Sequence, residues 1–254
     1  MIQSATSYID IAQLVLYAFW IFFAGLIFYL HRENKREGYP LETERGSGSR
    51  LIVRGFPDLP GKKVFHNHDG KTFTVPLYRN DRGDAPVTPS AEWPGSPFVP
   101  TGNPMLDGVG PASYANREDA PELGIEGHPI LQPLRIATRH SIATEGPNPI
   151  GMKVYAADGV VAGTVTDAWI DEAESIVRYL EVDIGTRTVL LPKAMARVSN
   201  AKGVRVASIL AAQFADVPAL ANPDQVTKLE EDKIAGYFCG GHLYATPDRF
   251  GPLL

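Results

Sequence analysis

The sequence predicts a membrane-anchored α+β protein: one N-terminal transmembrane helix, an extended surface segment, and a cytoplasmic β-rich barrel domain with C-terminal helices. Three observations carry this reading. The run from Ala12 to Leu30 holds no charged residue, the stretch from Asp81 to Pro111 is crowded with proline and glycine, and the chain after Lys153 alternates short apolar runs with turn signals.

An α-helix rising about 1.5 Å per residue carries Ala12–Leu30 across the roughly 30 Å hydrocarbon core of a bilayer. Residues 12–31 are therefore assigned to a transmembrane helix and residues 1–11 to a periplasmic N-terminus. A cleaved signal peptide has a basic start and a small-residue exit; here Asp10 precedes the run and Tyr29-Leu30-His31-Arg32 closes it, so the anchor is expected to stay. A buried core helix, the other competitor, is usually shorter and amphipathic. Arg32, Lys35 and Arg36 follow the span and no Lys or Arg precedes it, which puts the long C-terminal part in the cytoplasm. The same three cations are the expected contacts for anionic lipid headgroups. Tyr8, Tyr29 and Tyr39 stand where an interfacial aromatic belt is useful.

Residues 32–115 form the surface segment. Gly46-Ser47-Gly48-Ser49 reads as flexible, while LIVRGF and KTFTVPLY read as short strands from their β-branched and aromatic content. Pro86, Pro89, Pro94, Pro97, Pro100, Pro104 and Pro111 exclude a long regular helix or a central strand. Trp93, Phe98, Val99, Met105, Leu106 and Tyr114 lie between the prolines, which favours a long ordered loop laid over another surface; a plain linker is the alternative.

Residues 116–254 form the cytoplasmic domain, with a barrel core at about 148–210. Asp158-Gly159 between apolar runs is the strongest hairpin signal in the chain. Gly163–Ile170, Arg178–Ile184, Arg187–Leu191 and Val204–Ala207 read as strands of a small antiparallel barrel, with a turn at Glu172–Ser175. Ser208–Phe214 and Asp224–Tyr237 read as helices, the second entered at Asn222-Pro223-Asp224 and left at Gly236.

The 254 residues carry a formal charge of −5 and a pI near 5.7, with Arg32, Lys35 and Arg36 gathered at the membrane edge. That balance argues against a nucleic-acid partner. The single cysteine, Cys239, excludes an internal disulfide and a cysteine metal cluster, and within GYFCGG it reads as a small packed side chain. No P-loop, dinucleotide glycine fingerprint, HExxH helix or GxSxG elbow occurs, so no enzyme chemistry is expected. His66-Asn67-His68 would put two imidazoles on one face of a strand, yet no third ligand is in sequence reach, and two solvated histidines are the plainer reading.

The acids are more informative. Asp167, Asp171, Glu172 and Glu174 gather around one strand end with Arg178 following; Glu122 and Glu126 precede His128; Glu230, Glu231 and Asp232 run together. Each cluster is a solvated surface or part of a proton relay, since carboxylates near one another and near an arginine acquire spread pKa values.

Several strings taken together, DIAQLVLYAFWIFFAGLIFYL, REGYPLE, PTGNPMLDGVGPASYANR, NPIGMKV, AGTVTDAWID, RYLEVD and LEEDKIAGYFCGGHLYATP, resemble the H subunit of the photosynthetic reaction centre of purple bacteria. The resemblance covers nearly the whole chain in order. It implies a PRC-type β-barrel, a place in the intracytoplasmic photosynthetic membrane, and a proline-rich region packed across the cytoplasmic faces of the L and M subunits. Bacteriochlorophyll, bacteriopheophytin, quinones, non-haem iron and carotenoid are implied in partner subunits and no cofactor in this chain. A cytochrome subunit, a light-harvesting antenna and membrane lipids complete the implied partners. The implied role is to cap the quinone side and conduct protons to the secondary quinone.

Residue by residue, the resemblance implies an inner relay of Asp171, Glu174 and Arg178. Glu122 and Arg117 join the charge network, with Glu230 or Glu231 supplying a further carboxylate. At the family's proton entry, an aspartate and two histidines that also capture zinc or cadmium, only His128 matches; the other two positions read Gly124 and Glu126. Uptake through Glu126 and His128 is expected, and metal capture there is not. A membrane adaptor whose barrel binds another cytoplasmic protein is the rival reading.

Overall fold

The computed structural model describes residues 10–44, 50–75, 85–93 and 95–250, with only the backbone at 42–44, 50 and 51. Tyr8, Gly46–Ser49 and the Pro76–Tyr78 end of KTFTVPLY lie outside the described residues. Two compact units form: Met1–Asn80 with Ala91–Ser96, and Asp81–Ser90 with Pro97–Leu254. The second unit thus takes in Pro97–Gln132 together with the barrel, and it starts well before position 116.

In the first unit helix α1 spans Ile11–Asn34, longer at both ends than the apolar run alone predicts. Asp10 caps it, its carboxylate accepting from the Ala12 amide at 3.3 Å. None of its residues is buried, so the helix offers apolar side chains all round and is long and apolar enough to cross a membrane. It ends where Lys35 donates its amide to the carbonyls of Arg32 and Glu33. Two antiparallel hairpins follow, β1 (Leu41–Glu44) with β2 (Arg50–Val53) and β3 (Lys63–His66) with β4 (Thr72–Val75). β3 stops at His66 and the chain turns at Asn67, whose amide bonds the Lys71 carbonyl. His66 and His68 therefore do not share a strand face, and both are exposed.

Lys35 corrects an expectation. It is 3 % exposed, and its ammonium donates to the carbonyls of Arg54 at 3.0 Å and Pro57 at 2.5 Å while lying 5.2 Å from the Tyr39 ring centre. A charge satisfied by carbonyls inside its own unit is not a free headgroup contact. Arg36 pairs with the Glu33 carboxylate at 2.8 Å and donates to the Gly61 carbonyl at 2.6 Å, while Arg32 is exposed.

In the second unit the described part of the proline-rich stretch forms short regular elements. β5 (Val87–Pro89) pairs with β6 (Phe98–Pro100), a one-turn helix α2 spans Pro104–Asp107, and a 3-10 turn covers Gly110–Ala112. At its C-terminal end the stretch packs on its own chain, while Trp93, Phe98 and Leu106 are exposed. Helix α3 (Lys228–Tyr244) packs on this turn, with Met105 and Ala112 buried at 5 % and 1 % exposure. The approach requires glycine on the helix. A Cβ at Gly236 would lie 2.7 Å from the Ala112 carbonyl oxygen, and one at Gly240 would lie 2.5 Å from the Ala112 Cβ.

The barrel is a seven-stranded sheet: β7 (Leu131–Pro133), β8 (Lys153–Tyr155), β9 (Val161–Asp171), β10 (Ile176–Asp183), β11 (Thr188–Pro192), β12 (Ala196–Ser199) and β13 (Gly203–Val206). The order is β11-β10-β9-β8-β13-β12, with β7 also pairing with β9. β8 and β9 form the hairpin expected at Asp158-Gly159, and Gly159 takes the left-handed φ of 76° that such a turn favours. Two differences emerge. β13 pairs with β8 in parallel, so the sheet is not wholly antiparallel, and β7 and β12 were not anticipated. Trp169, Leu180, Leu191, Ile209, Phe214 and Phe238 are at most 1 % exposed and fill the space between sheet and α3.

Asn222-Pro223-Asp224 does not start α3. Thr227 does, its hydroxyl accepting from the Glu230 amide at 3.1 Å and the Glu230 carboxylate accepting from the Thr227 amide at 2.8 Å. The helix then runs through Gly236 rather than ending there, and Ser208–Phe214 yields only a 3-10 turn at Ala211–Asp216.

Candidate functional site

The hairpin between β9 and β10 builds the site. Asp171 ends β9, and its Oδ1 accepts from the amides of Ala173 at 3.0 Å and Glu174 at 3.1 Å, closing the turn by an aspartate bond to backbone. Ser175 completes it with a φ of 56°. The other oxygen, Oδ2, accepts from Arg178 Nη1 at 3.0 Å. Arg178 Nη2 reaches Glu231 Oε2 on α3 at 3.4 Å, and the same oxygen accepts from the Tyr179 hydroxyl at 3.1 Å.

Arg178 and Tyr179 are consecutive, and consecutive strand residues ordinarily point to opposite faces. The register of β10 on β9 shifts between Val177 and Tyr179, and this bulge lets both side chains meet one carboxylate. The result is a string, Asp171, Arg178, Glu231, Tyr179, running inward from the hairpin end to the helix. Asp171 and Glu231 are 6 % and 7 % exposed, whereas the Arg178 side chain is 40 % exposed, so the guanidinium joins buried carboxylates to the surface.

Burial pushes the Glu231 carboxyl above the ordinary carboxylate range; Arg178, the Tyr179 hydroxyl and Arg117 pull it down, and Glu122 pushes it up again. Burial also raises the Tyr179 hydroxyl, with Glu231 adding to the effect, so Tyr179 stays a donor. Burial works against charge on Arg178 too, but Glu231 and Asp171 outweigh it and hold the guanidinium charged. Around this string, Arg117 pairs with Asp232 at 3.4 Å, Lys228 with Glu118 at 3.0 Å, and the Thr227 hydroxyl donates to Asp119 at 2.7 Å.

Of the residues picked out by sequence, Asp171 and Arg178 meet directly. Glu174 is exposed on the turn, tied to Asp171 through its amide. Glu230 is corrected: its oxygens accept from the Thr227 amide and, at 2.7 Å, from the Ala221 amide, so it serves the helix entry while Glu231 meets Arg178. Glu126 and His128 sit exposed on a small hairpin closed by the Leu123–Pro129 bridge and by the Gly124 amide on the His128 carbonyl at 2.8 Å. Among the described residues no hydrogen bond joins their side chains to the Asp171 string. The connection is through the chain, since Leu131, just beyond the hairpin, pairs with Asp171. Among the described residues no group of three or more His, Cys, Asp or Glu side chains gathers.

Sequence reasoning missed Arg135. Its guanidinium binds Asp167 at 3.0 Å, Glu181 and Asp224 at 2.8 Å each, and the Pro223 carbonyl at 2.7 Å; Glu181 also accepts from the Trp169 indole at 3.0 Å. This is a structural clamp between β9, β10 and the entry to α3. Its partners lie tens of residues away, and no local pattern announces them.

Two family models match the chain. The first, described as the photosynthetic reaction centre, H-chain N-terminal region, matches residues 3–136, which is over half of the 254 residues, and the second, the PRC-barrel domain, matches residues 144–210. Glu122, Glu126 and His128 fall in the first match and Asp171, Glu174 and Arg178 in the second, while Glu231 lies beyond both. The chain therefore belongs to the H-chain family of the photosynthetic reaction centre, the accessory, non-pigment subunit that associates with the L and M subunits in the photosynthetic membrane.

Proposed function

We propose that this chain caps the L/M core on the cytoplasmic side, anchored with its N-terminus in the periplasm, and conducts protons to the secondary quinone held by the partner subunits. The observation that carries the proposal is the string of Asp171, Arg178, Glu231 and Tyr179, whose carboxylates are buried and whose arginine reaches the surface. A quinone reduced by two electrons needs two protons, and a site open to water would lose control of when they arrive. A protein cover with titratable side chains meets both needs. Glu174 is the exchanging carboxylate at the turn, Asp171 fixes that turn, and Arg178 tunes the carboxylates on either side of it. Arg117 and Glu122 set the surrounding field, and Glu126 with His128 gathers protons from solvent. The pigments, quinones, iron and carotenoid belong to the partners, and a cytochrome subunit and antenna complete the assembly. Arg32 faces anionic headgroups at the membrane edge.

Glu174→Gln tests the path. The second proton-coupled electron transfer to the quinone is expected to slow severalfold between about pH 6 and 9, with primary charge separation unchanged. Unaltered kinetics across that range would remove Glu174 from the relay. Purification through a tag on this chain is expected to bring down bacteriochlorophyll that bleaches reversibly under a flash.

The entry hairpin offers a second test. A Cβ at Gly124 would meet only the His128 carbonyl and the Ile130 side chain, both at 3.7 Å, so the position accepts a side chain without strain. The double variant Gly124→Asp/Glu126→His is expected to make proton uptake sensitive to micromolar zinc or cadmium, which the natural chain resists. Equal sensitivity of the two proteins would count against uptake at this hairpin.

A further inference from the structure

A second charged feature lies away from the carboxylate string and has the opposite sign. Arg197 on β12 and Arg205 on β13 are direct cross-strand partners, and both are exposed. Paired residues on one face of such a ribbon hold their Cβ atoms about 5 Å apart, and like charges there repel. Among the described residues no carboxylate pairs with either guanidinium, although the chain carries net negative charge and Arg117, Arg135 and Arg178 all find acids.

The two arginines line a cavity of about 480 Å³ together with His242, Ala156, Met195 and Ala207. The frame of this cavity is built. Arg249 donates to the carbonyls of Ala207 at 3.2 Å, Ser208 at 2.6 Å and Gly241 at 2.7 Å, fixing the end of β13 against the end of α3. A Cβ at Gly241 would lie 2.6 Å from the Ser208 carbonyl oxygen, so only glycine brings the last turn of α3, and with it His242, to the edge of the cavity. Asp158, which follows the lining residue Ala157, has its oxygens accepting from the Val160 and Ala211 amides at 3.1 Å and 3.3 Å.

We infer that this cavity is a phosphoryl-binding site. A single carboxylate has two oxygens and one charge and is satisfied by one guanidinium fork; two arginines and a histidine lining one space suit a group with two charges and three or more oxygens. The apolar side chains in the lining, Ala156, Met195 and Val206 among them, accept the organic part of a phosphate ester. The group belongs either to a phospholipid or to a soluble phosphate ester, and the site is independent of the proton path proposed above.

The test compares the wild-type complex with Arg197→Gln/Arg205→Gln, both purified in detergent with the partner subunits. Inorganic pyrophosphate is titrated calorimetrically against chloride of equal ionic strength, and retained phospholipid is identified by mass spectrometry. The wild type is expected to bind pyrophosphate at least tenfold more tightly than the double variant, and to melt at a higher temperature in its presence. A phospholipid retained by the wild type and absent from the variant identifies a lipid source; weaker pyrophosphate binding in the variant with identical retained lipid identifies a soluble ester. The single variants carry the comparison if the double variant fails to assemble, each at intermediate affinity. Lys202→Gln, an exposed charge on the β12–β13 turn outside the lining, is expected to leave binding intact. Equal binding and equal lipid in all proteins, or equal loss in Lys202→Gln, overturns the site.

Discussion

Arg178→Leu is expected to slow proton delivery to the quinone by at least tenfold at neutral pH, leaving primary charge separation as it is. Arg178 is the cation between Asp171 and Glu231. Without it, Glu231 keeps the burial that raises its carboxyl and loses the first of the groups that oppose that rise. A carboxyl that holds its proton more tightly passes it on more slowly. Flash-induced absorbance at the quinone, with acid or azide rescue of the rate, separates lost proton delivery from lost assembly. A wild-type rate in a fully assembled complex would sink the arginine's role. The same substitution is expected to cost about 1–2 kcal/mol in urea unfolding, a modest figure because the Arg178 side chain is 40 % exposed and screened by water. Glu231→Gln supplies the complementary pH test. A carboxyl raised on folding lends stability that is complete below its ordinary value of 4.5 and is lost as pH climbs through the raised value. The variant should therefore gain on the wild type as pH rises above that ordinary value, by at most about 1.4 kcal/mol per pH unit. Parallel stability curves would show that Glu231 titrates as in the unfolded chain.

Gly240→Val is expected to be the most damaging single substitution for the architecture. The added Cβ would lie 2.5 Å from the Ala112 Cβ and 3.1 Å from its Cα, so backbone and not a flexible side-chain end must give way. α3 must part from the Gly110–Ala112 turn, at a cost of about 2–3 kcal/mol, and Met105 and Ala112 then lose their cover. Urea midpoints report the loss, and limited proteolysis should cut between Pro97 and Tyr114 in the variant and spare the wild type. A variant as stable and as resistant as the wild type would mean that the helix and turn do not approach so closely.

What could be read from sequence is what depends on neighbours in the chain. The anchor shows as an unbroken apolar run, the Asp158-Gly159 hairpin as a turn dipeptide between β-branched residues, and the Asp171–Arg178 pair as two charges seven residues apart across a tight turn. Glu231 was visible only as one of three consecutive acids. Which of them meets Arg178 is decided by helix phase, and that phase is set by Thr227 rather than by the more conspicuous Asn222-Pro223-Asp224. Arg135 and the Arg197–Arg205 pair depend on strand register and long loops, which no short window contains. β7, at three residues, is too short for periodicity to mark, and β12 follows a 3-10 turn without a turn dipeptide to announce it. Lys35 followed the positive-inside pattern yet folded inward, because the carbonyls at Arg54 and Pro57 come from a turn that charge counting does not see.

The packing of Ala112 against Gly236 and Gly240 also fixes an order of events during synthesis. More than a hundred residues separate the turn from the helix that covers it. The apolar anchor emerges first and can enter the bilayer while the turn still has no partner. Met105 and Ala112 remain uncovered until α3 leaves the ribosome, so closure of this domain is a late, post-insertion step with a long loop to close. During that interval the turn's apolar side chains stay uncovered, so the order of synthesis gives membrane insertion a head start over folding of this domain.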